Sequence, residues 1–124
     1  MQLYTYYRST ASYRVRIALA LKGLEFQAIP VNLLVPKGGA NRQPEYLEIN
    51  PQGRVPALRT DDGDLLIQSL AIIEYLEERY PQVPLLSTDL VSRARERAVA
   101  AIIGCDIHPV SYTHLRAHET PEHL

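Results

Sequence analysis

The chain has 124 residues, 46% of them hydrophobic, with a formal net charge of −1 and one cysteine. That length suits one domain of ordinary size with a real core, and the near-neutral balance argues against nucleic acid or an anionic membrane as partner. The lone Cys105 excludes an internal disulfide and fits a reducing compartment. No apolar run approaches the roughly 20 residues of a membrane span. Met1-Gln2-Leu3-Tyr4 lacks the basic start and apolar core of a secretion signal, so a soluble, cytoplasmic protein is expected.

Residues 2–6 alternate and read as a first strand. Residues 12–22 read as a helix, with Val15, Ala18, Leu19 and Lys22 on one stripe, Ile17 and Leu21 beside it, and Gly23 as C-cap. Glu25 to Val31 reads as a second strand, placed at an edge by Pro30. This strand–helix–strand order is a βαβ unit. Lys37 to Asn41 is a loop by composition, Pro44 to Ile49 a short helix with proline in its first turn, and Asn50-Pro51-Gln52-Gly53 a turn. Val55 to Leu58 opens a third strand, Asp61 to Asp64 is a hairpin turn, and Leu65 to Ile67 returns as a fourth. Leu70 to Tyr80 is a helix with Leu70, Ile73, Leu76 and Tyr80 as its apolar stripe, stopped by Pro81. The order predicts a four-stranded mixed sheet with helices on its faces. Residues 81–89 read as a linker, and Val91 to Gly104 as a further helix with Arg93, Arg95, Glu96 and Arg97 on its wet face.

The stretch Tyr7 to Arg16 carries the most chemistry. Ser9, Thr10 and Ser12 sit where a strand becomes a helix, and Arg8 and Arg14 flank them. A helix N-terminus has unpaired N–H groups and partial positive charge, so it favours an anion. One of the three hydroxyls acting only as an N-cap is the simpler reading of that stretch taken alone. In the last segment, His118-Glu119-Thr120-Pro121-Glu122-His123 has one residue too many between its histidines for a zinc-protease motif, and Pro121 would break the helix that motif needs. No metal site is expected.

Four segments resemble the N-terminal part of a zeta-class glutathione transferase of the maleylacetoacetate isomerase type. They are Arg8 to Leu19 (RSTASYRVRIAL), Asn50 to Leu58 (NPQGRVPAL), Gln68 to Glu78 (QSLAIIEYLEE) and Cys105 to Pro109 (CDIHP). The resemblance implies a thioredoxin-like glutathione-binding domain over residues 1–80 and a linker over 81–89. Residues 90–110 would be the first helix of an all-α domain, here truncated. Residues 111–124 match nothing in the family. They resemble the translation of a sequencing adapter joined to a partial gene, and are expected to be disordered or artefactual.

It also implies glutathione as cosubstrate and a small acidic diketo substrate, maleylacetoacetate, isomerised from cis to trans in tyrosine breakdown. The family is homodimeric. Alternatives are maleylpyruvate isomerase, a general glutathione transferase, or a thioredoxin-like glutathione- or partner-binding module without catalysis. Ser9 and Thr10 would be the catalytic hydroxyls at the thiol; the family commonly has Ser-Ser-Cys where this chain has Ser9, Thr10 and Ala11. Val55, ahead of a cis Pro56, would pair with the cysteinyl backbone of glutathione, and Gln68 and Ser69 would hold the γ-glutamyl carboxylate. Asn41 to Gln43 falls where the family's loop meets the glycyl end, and His108 at a position near glutathione. Arg8 and Arg14 are candidates for the substrate carboxylates.

Overall fold

The computed structural model describes residues 1–107. The chain divides into two compact units, Met1–Leu85 and a second beginning at Leu86. No helix among the described residues is long and apolar enough to cross a membrane.

In the first unit, β1 (Gln2–Thr5) leads to α1 (Thr10–Leu21) and β2 (Gln27–Pro30). A kinked segment, Val35–Gly39, and a short turn, Ala40–Arg42, lead to α2 (Pro44–Ile49). β3 (Ala57–Arg59), β4 (Leu65–Ile67) and α3 (Ser69–Arg79) complete the unit. The sheet order is β2-β1-β3-β4, with β1 parallel to β2 and the other pairs antiparallel. This is the mixed four-stranded sheet expected, and Pro30 does end an edge strand. The β3–β4 turn is closed by Thr60, whose N–H donates to the Asp64 carbonyl and whose Oγ1 accepts from the Asp64 N–H.

Side chains alternate across a strand, so β1 and β3 feed two cores. Leu3 and Leu58 meet Val15, Ala18 and Leu19 of α1 and Ile72 and Leu76 of α3 on one face. Tyr4 and Ala57 meet Tyr46 of α2, Tyr6, Val31 and Val55 on the other. Burying each of these large apolar side chains is worth about 1.5–3 kcal/mol. The stripe expected on α1 is buried, Lys22 included. On α3 the buried line runs through Ile72 and Leu76, with Ile73 and Tyr80 packed at its edge, so it is rotated slightly from the expected stripe.

Lys22 is buried because its ammonium is saturated. It pairs with Glu77 at 2.8 Å and donates to the Tyr80 and Val83 carbonyls, each also at 2.8 Å. Glu77 in turn accepts from the Leu85 N–H. These bonds fix residues 80–85 against the C-terminal ends of α1 and α3.

In the second unit, α4 (Leu90–Ala101) is capped by Asp89, whose carboxylate accepts from the Ser92 N–H at 2.9 Å. That bond holds the Asp89 carboxyl below its ordinary value. No residue of α4 is buried, and Leu90, Val91, Val99, Ile102 and Ile103 are exposed. Wider helical turns follow over Ile102–Ile107. His108, the end of the expected 90–110 helix and the tail 111–124 lie outside the described residues.

Candidate functional site

Three places where the first unit's chain turns carry the residues singled out above. The first joins β1 to α1. The helix starts two residues earlier than periodicity suggested, because Ser9 is its N-cap: the hydroxyl accepts from the Ser12 N–H at 3.1 Å and the carbonyl accepts from the Tyr13 N–H at 3.0 Å. A hydroxyl that accepts one bond still has its proton to give. The N–H groups of Thr10 and Ala11 precede the first intrahelical bond, so they remain donors at the positive end of the helix. Ser9 is half-buried and Thr10 exposed. Ser12 is fully buried, and its hydroxyl has no partner among the described residues.

The arginines around this turn differ. Arg8 is exposed and lies over the Tyr7 ring at 5.4 Å. Arg16 donates to Thr5 Oγ1 at 2.6 Å and lies over Tyr13. Arg14 Nη1 donates to Ser69 Oγ at 3.1 Å, joining α1 to the start of α3.

The second place is the segment from α2 to β3. Val55–Pro56 is cis, as expected; Val35–Pro36 is also cis, which no sequence signal announced. Val55 is buried, and neither its N–H nor its carbonyl has a partner among the described residues. The preceding turn is held from three sides. Asn50, buried to 1% exposure, accepts from the Gln52 N–H and donates to the Arg54 carbonyl. The Tyr46 hydroxyl donates to that same carbonyl, and Asn41 Nδ2 donates to the Gly53 carbonyl at 2.6 Å. Gly53 sits at φ +64° with the Asn41 carbonyl 3.1 Å from where a Cβ would lie, so both conformation and space favour glycine. The sequence had placed Asn41 in a loop and Tyr46 in a short helix without seeing that they buttress Val55. The Asn-Pro-Gln-Gly turn signal could have pointed to Asn50, whose side chain closes an Asx turn.

The third place joins β4 to α3. Gln68 has φ +74°, an unusual conformation for a residue with a side chain and one that persists only where surroundings impose it. Its side chain donates to Gln52 Oε1 at 2.9 Å, which ties this turn to the one before Val55. Ser69 is 7% exposed. The first intrahelical bond of α3 is from the Ile72 N–H to the Gln68 carbonyl, so the N–H groups of Ser69, Leu70 and Ala71 precede it. Side-chain bonds thus connect all three places: Arg14–Ser69 links the first to the third, and Gln52–Gln68 the second to the third. The combination of hydroxyls, free helix-start N–H groups and an open backbone pair suits a ligand with carboxylates and a peptide-like middle.

Residues 3–84 match the family described as glutathione S-transferase, N-terminal domain. A maleylacetoacetate isomerase of Pseudomonas aeruginosa is 73% identical over 110 residues, which is 89% of this chain and 51% of that protein. Among solved structures, the holo form of a maleylpyruvate isomerase, described as a bacterial zeta-class glutathione S-transferase, is similar with a TM-score of 0.82 and 47% identity, covering 89% of this chain and 50% of that one. A maleylacetoacetate isomerase of Methylobacterium extorquens AM1 with bound malonate and glutathione gives 0.81 and 46%, covering 88% and 50%. The chain spans about half the length of the relatives it matches.

Proposed function

The chain belongs to the glutathione S-transferase family by its N-terminal domain, and from that premise we propose that residues 1–80 hold glutathione in a zeta-class isomerase. Ser69 and the start of α3 receive the γ-glutamyl carboxylate, with Gln68 beside it. Val55 pairs its N–H and C=O with the cysteinyl backbone, Pro56 following it. Ser9, with Thr10 next to it, meets the sulfur. The linker is 81–89, residues 90–110 begin an all-α domain, and the whole protein is a cytoplasmic homodimer. His108 contributes near glutathione and Arg8 meets a carboxylate of the acidic diketo substrate.

The chemistry follows from the thiol. A free thiol ionises near pH 8.5, and a hydroxyl donor and a helix start shift it toward thiolate. The thiolate adds to the cis double bond of maleylacetoacetate and the displaced electron pair moves into the adjacent carbonyl as an enolate. The former double bond is now single and rotates. The enolate collapses, expels the thiolate and restores the double bond as trans, so glutathione is regenerated. Maleylpyruvate undergoes the same sequence, and the similarity to a maleylpyruvate isomerase at TM-score 0.82 makes it the second substrate reading.

The observation that carries the reading is the buried Ser69 hydroxyl at the start of α3, bonded to Arg14 and tied through Gln68 to the turn before Val55. The test is calorimetry of glutathione with the parent chain and with Ser69→Ala. Losing one hydroxyl donor to a charged group should weaken binding by roughly 1.5–3 kcal/mol. Equal affinity of the two proteins would show the carboxylate to be elsewhere. Ser9→Ala should instead leave affinity nearly intact and reduce the thiolate absorbance of bound glutathione.

A further inference from the structure

We propose that Arg14 is a positioning residue for the carboxylate end of this site: it fixes the direction in which the Ser69 hydroxyl donates. The inference rests on the glutathione reading above and reassigns Arg14 from the substrate's carboxylates to glutathione's.

A guanidinium has five N–H donors and no acceptor. In the bond from Arg14 Nη1 to Ser69 Oγ, the hydroxyl oxygen is therefore the acceptor. Its single proton must point elsewhere, and among the described residues it has no acceptor. Ser69 is 7% exposed, so little water competes for that proton. The hydroxyl is thus a directed donor. Without Arg14 it could rotate and offer a lone pair to the ligand, which would repel a carboxylate.

Polarisation adds to direction. A hydroxyl that accepts from a cation gives up its own proton to a hydrogen bond more readily. A carboxylate at Ser69 then meets a strengthened O–H donor, the N–H groups at the start of α3, and a positive charge one hydrogen bond further away. The same arginine lies on α1, whose first turn carries Ser9 and Thr10. The thiol end and the carboxylate end are therefore bridged by this side chain, above the core in which α1 and α3 already pack together.

The test compares glutathione with its analogue lacking the γ-glutamyl α-carboxylate, γ-aminobutyryl-cysteinyl-glycine, by calorimetry on the parent chain, Arg14→Met and Arg14→Lys. The parent should prefer glutathione by about 10- to 100-fold, the span expected of a charged hydrogen bond. Arg14→Met should lose most of that preference while its affinity for the analogue stays within about 3-fold of the parent's. Arg14→Lys, which keeps a donor and the charge, should fall between them, and it carries the test if Arg14→Met does not fold. A variant that weakens both ligands equally, or keeps the full preference, overturns the inference and leaves the glutathione reading standing. A parent that binds neither ligand, or does not distinguish them, overturns the carboxylate's place at Ser69 and this inference with it.

Discussion

Replacing Lys22 by methionine tests what ties the end of the first unit to its helices. The ammonium has three protons and three partners: Glu77 Oε1, the Tyr80 carbonyl and the Val83 carbonyl, all at 2.8 Å. Its side chain is 1% exposed and that of Glu77 6%. Methionine keeps most of the stem's volume, so packing changes little. What changes is that two carbonyls lose their donor and the ammonium opposite a buried carboxylate is gone. Removing one partner of a buried pair costs about 3–5 kcal/mol, a large fraction of the roughly 5–15 kcal/mol that holds a domain folded. With a urea m-value of about 2 kcal/mol/M, the midpoint should fall by about 2 M. The assay is urea unfolding followed by far-UV circular dichroism. The double variant Lys22→Met with Glu77→Leu removes the buried charge as well and should regain part of the loss, but not all of it, because the Leu85 N–H then loses its acceptor while the Tyr80 and Val83 carbonyls still lack their donor. A midpoint shift below about 0.5 M for Lys22→Met, or a double variant no better than the single, would refute the reasoning.

Two further outcomes follow from the site's scaffold. Burial pushes the Tyr46 phenol from 10.0 up to about 12, with partial relief from its bond with Asn50 and a further upward push from Tyr4. The fold therefore favours the neutral phenol: this stability is complete below pH 10 and lost between about pH 10 and 12, as the unfolded chain ionises first. Two pH units correspond to about 3 kcal/mol. Tyr46→Phe should start less stable at pH 8 and lose less between pH 10 and 11.5; parallel curves for the two proteins would contradict this. At the first turn of α1, Ser12→Ala removes a buried hydroxyl without a partner and should leave stability unchanged or raise it by up to about 1 kcal/mol, whereas Ser9→Ala removes a cap and should cost about 1 kcal/mol. A loss above about 1 kcal/mol for Ser12→Ala in urea unfolding would mean its hydroxyl has a partner after all.

The order of elements was legible because it depends on local signals. Alternation gave β1, the apolar spacing gave α1 down to its buried Lys22, Pro44 gave the start of α2, and Asp61 to Asp64 gave the β3–β4 turn. The start of α1 was displaced because cap geometry, not periodicity, decides it, and the three hydroxyl-bearing candidates Ser9, Thr10 and Ser12 look alike in sequence. Lys22 reads as an apolar-stripe residue from its neighbours, but its partner Glu77 lies 55 positions away, beyond any local pattern. The positive φ of Gln68 is invisible for the same reason: no glycine marks it, and it is imposed by surroundings.

The separate visibility of site and scaffold has a physical cause. Ser9, Val55 and Ser69 stand beside punctuation that any chain must use: a helix cap, a proline, the start of a second helix. The residues that aim them do not. Asn41, Tyr46 and Asn50 all spend their side-chain donors on the carbonyls of Gly53 and Arg54, the two residues immediately before Val55. Carbonyls tied down by three side-chain donors cannot rotate, so the peptide planes leading into Val55 have a fixed orientation. That leaves the Val55 N–H and C=O presented as a rigid pair and not as a loop that a ligand would have to order. Ordering a backbone residue costs about 1–2 kcal/mol, and here folding has already met that cost. Under the proposal above, Arg14 does for the Ser69 hydroxyl what these three do for the Val55 backbone: it restricts a group that could otherwise turn to the one orientation an anion could use.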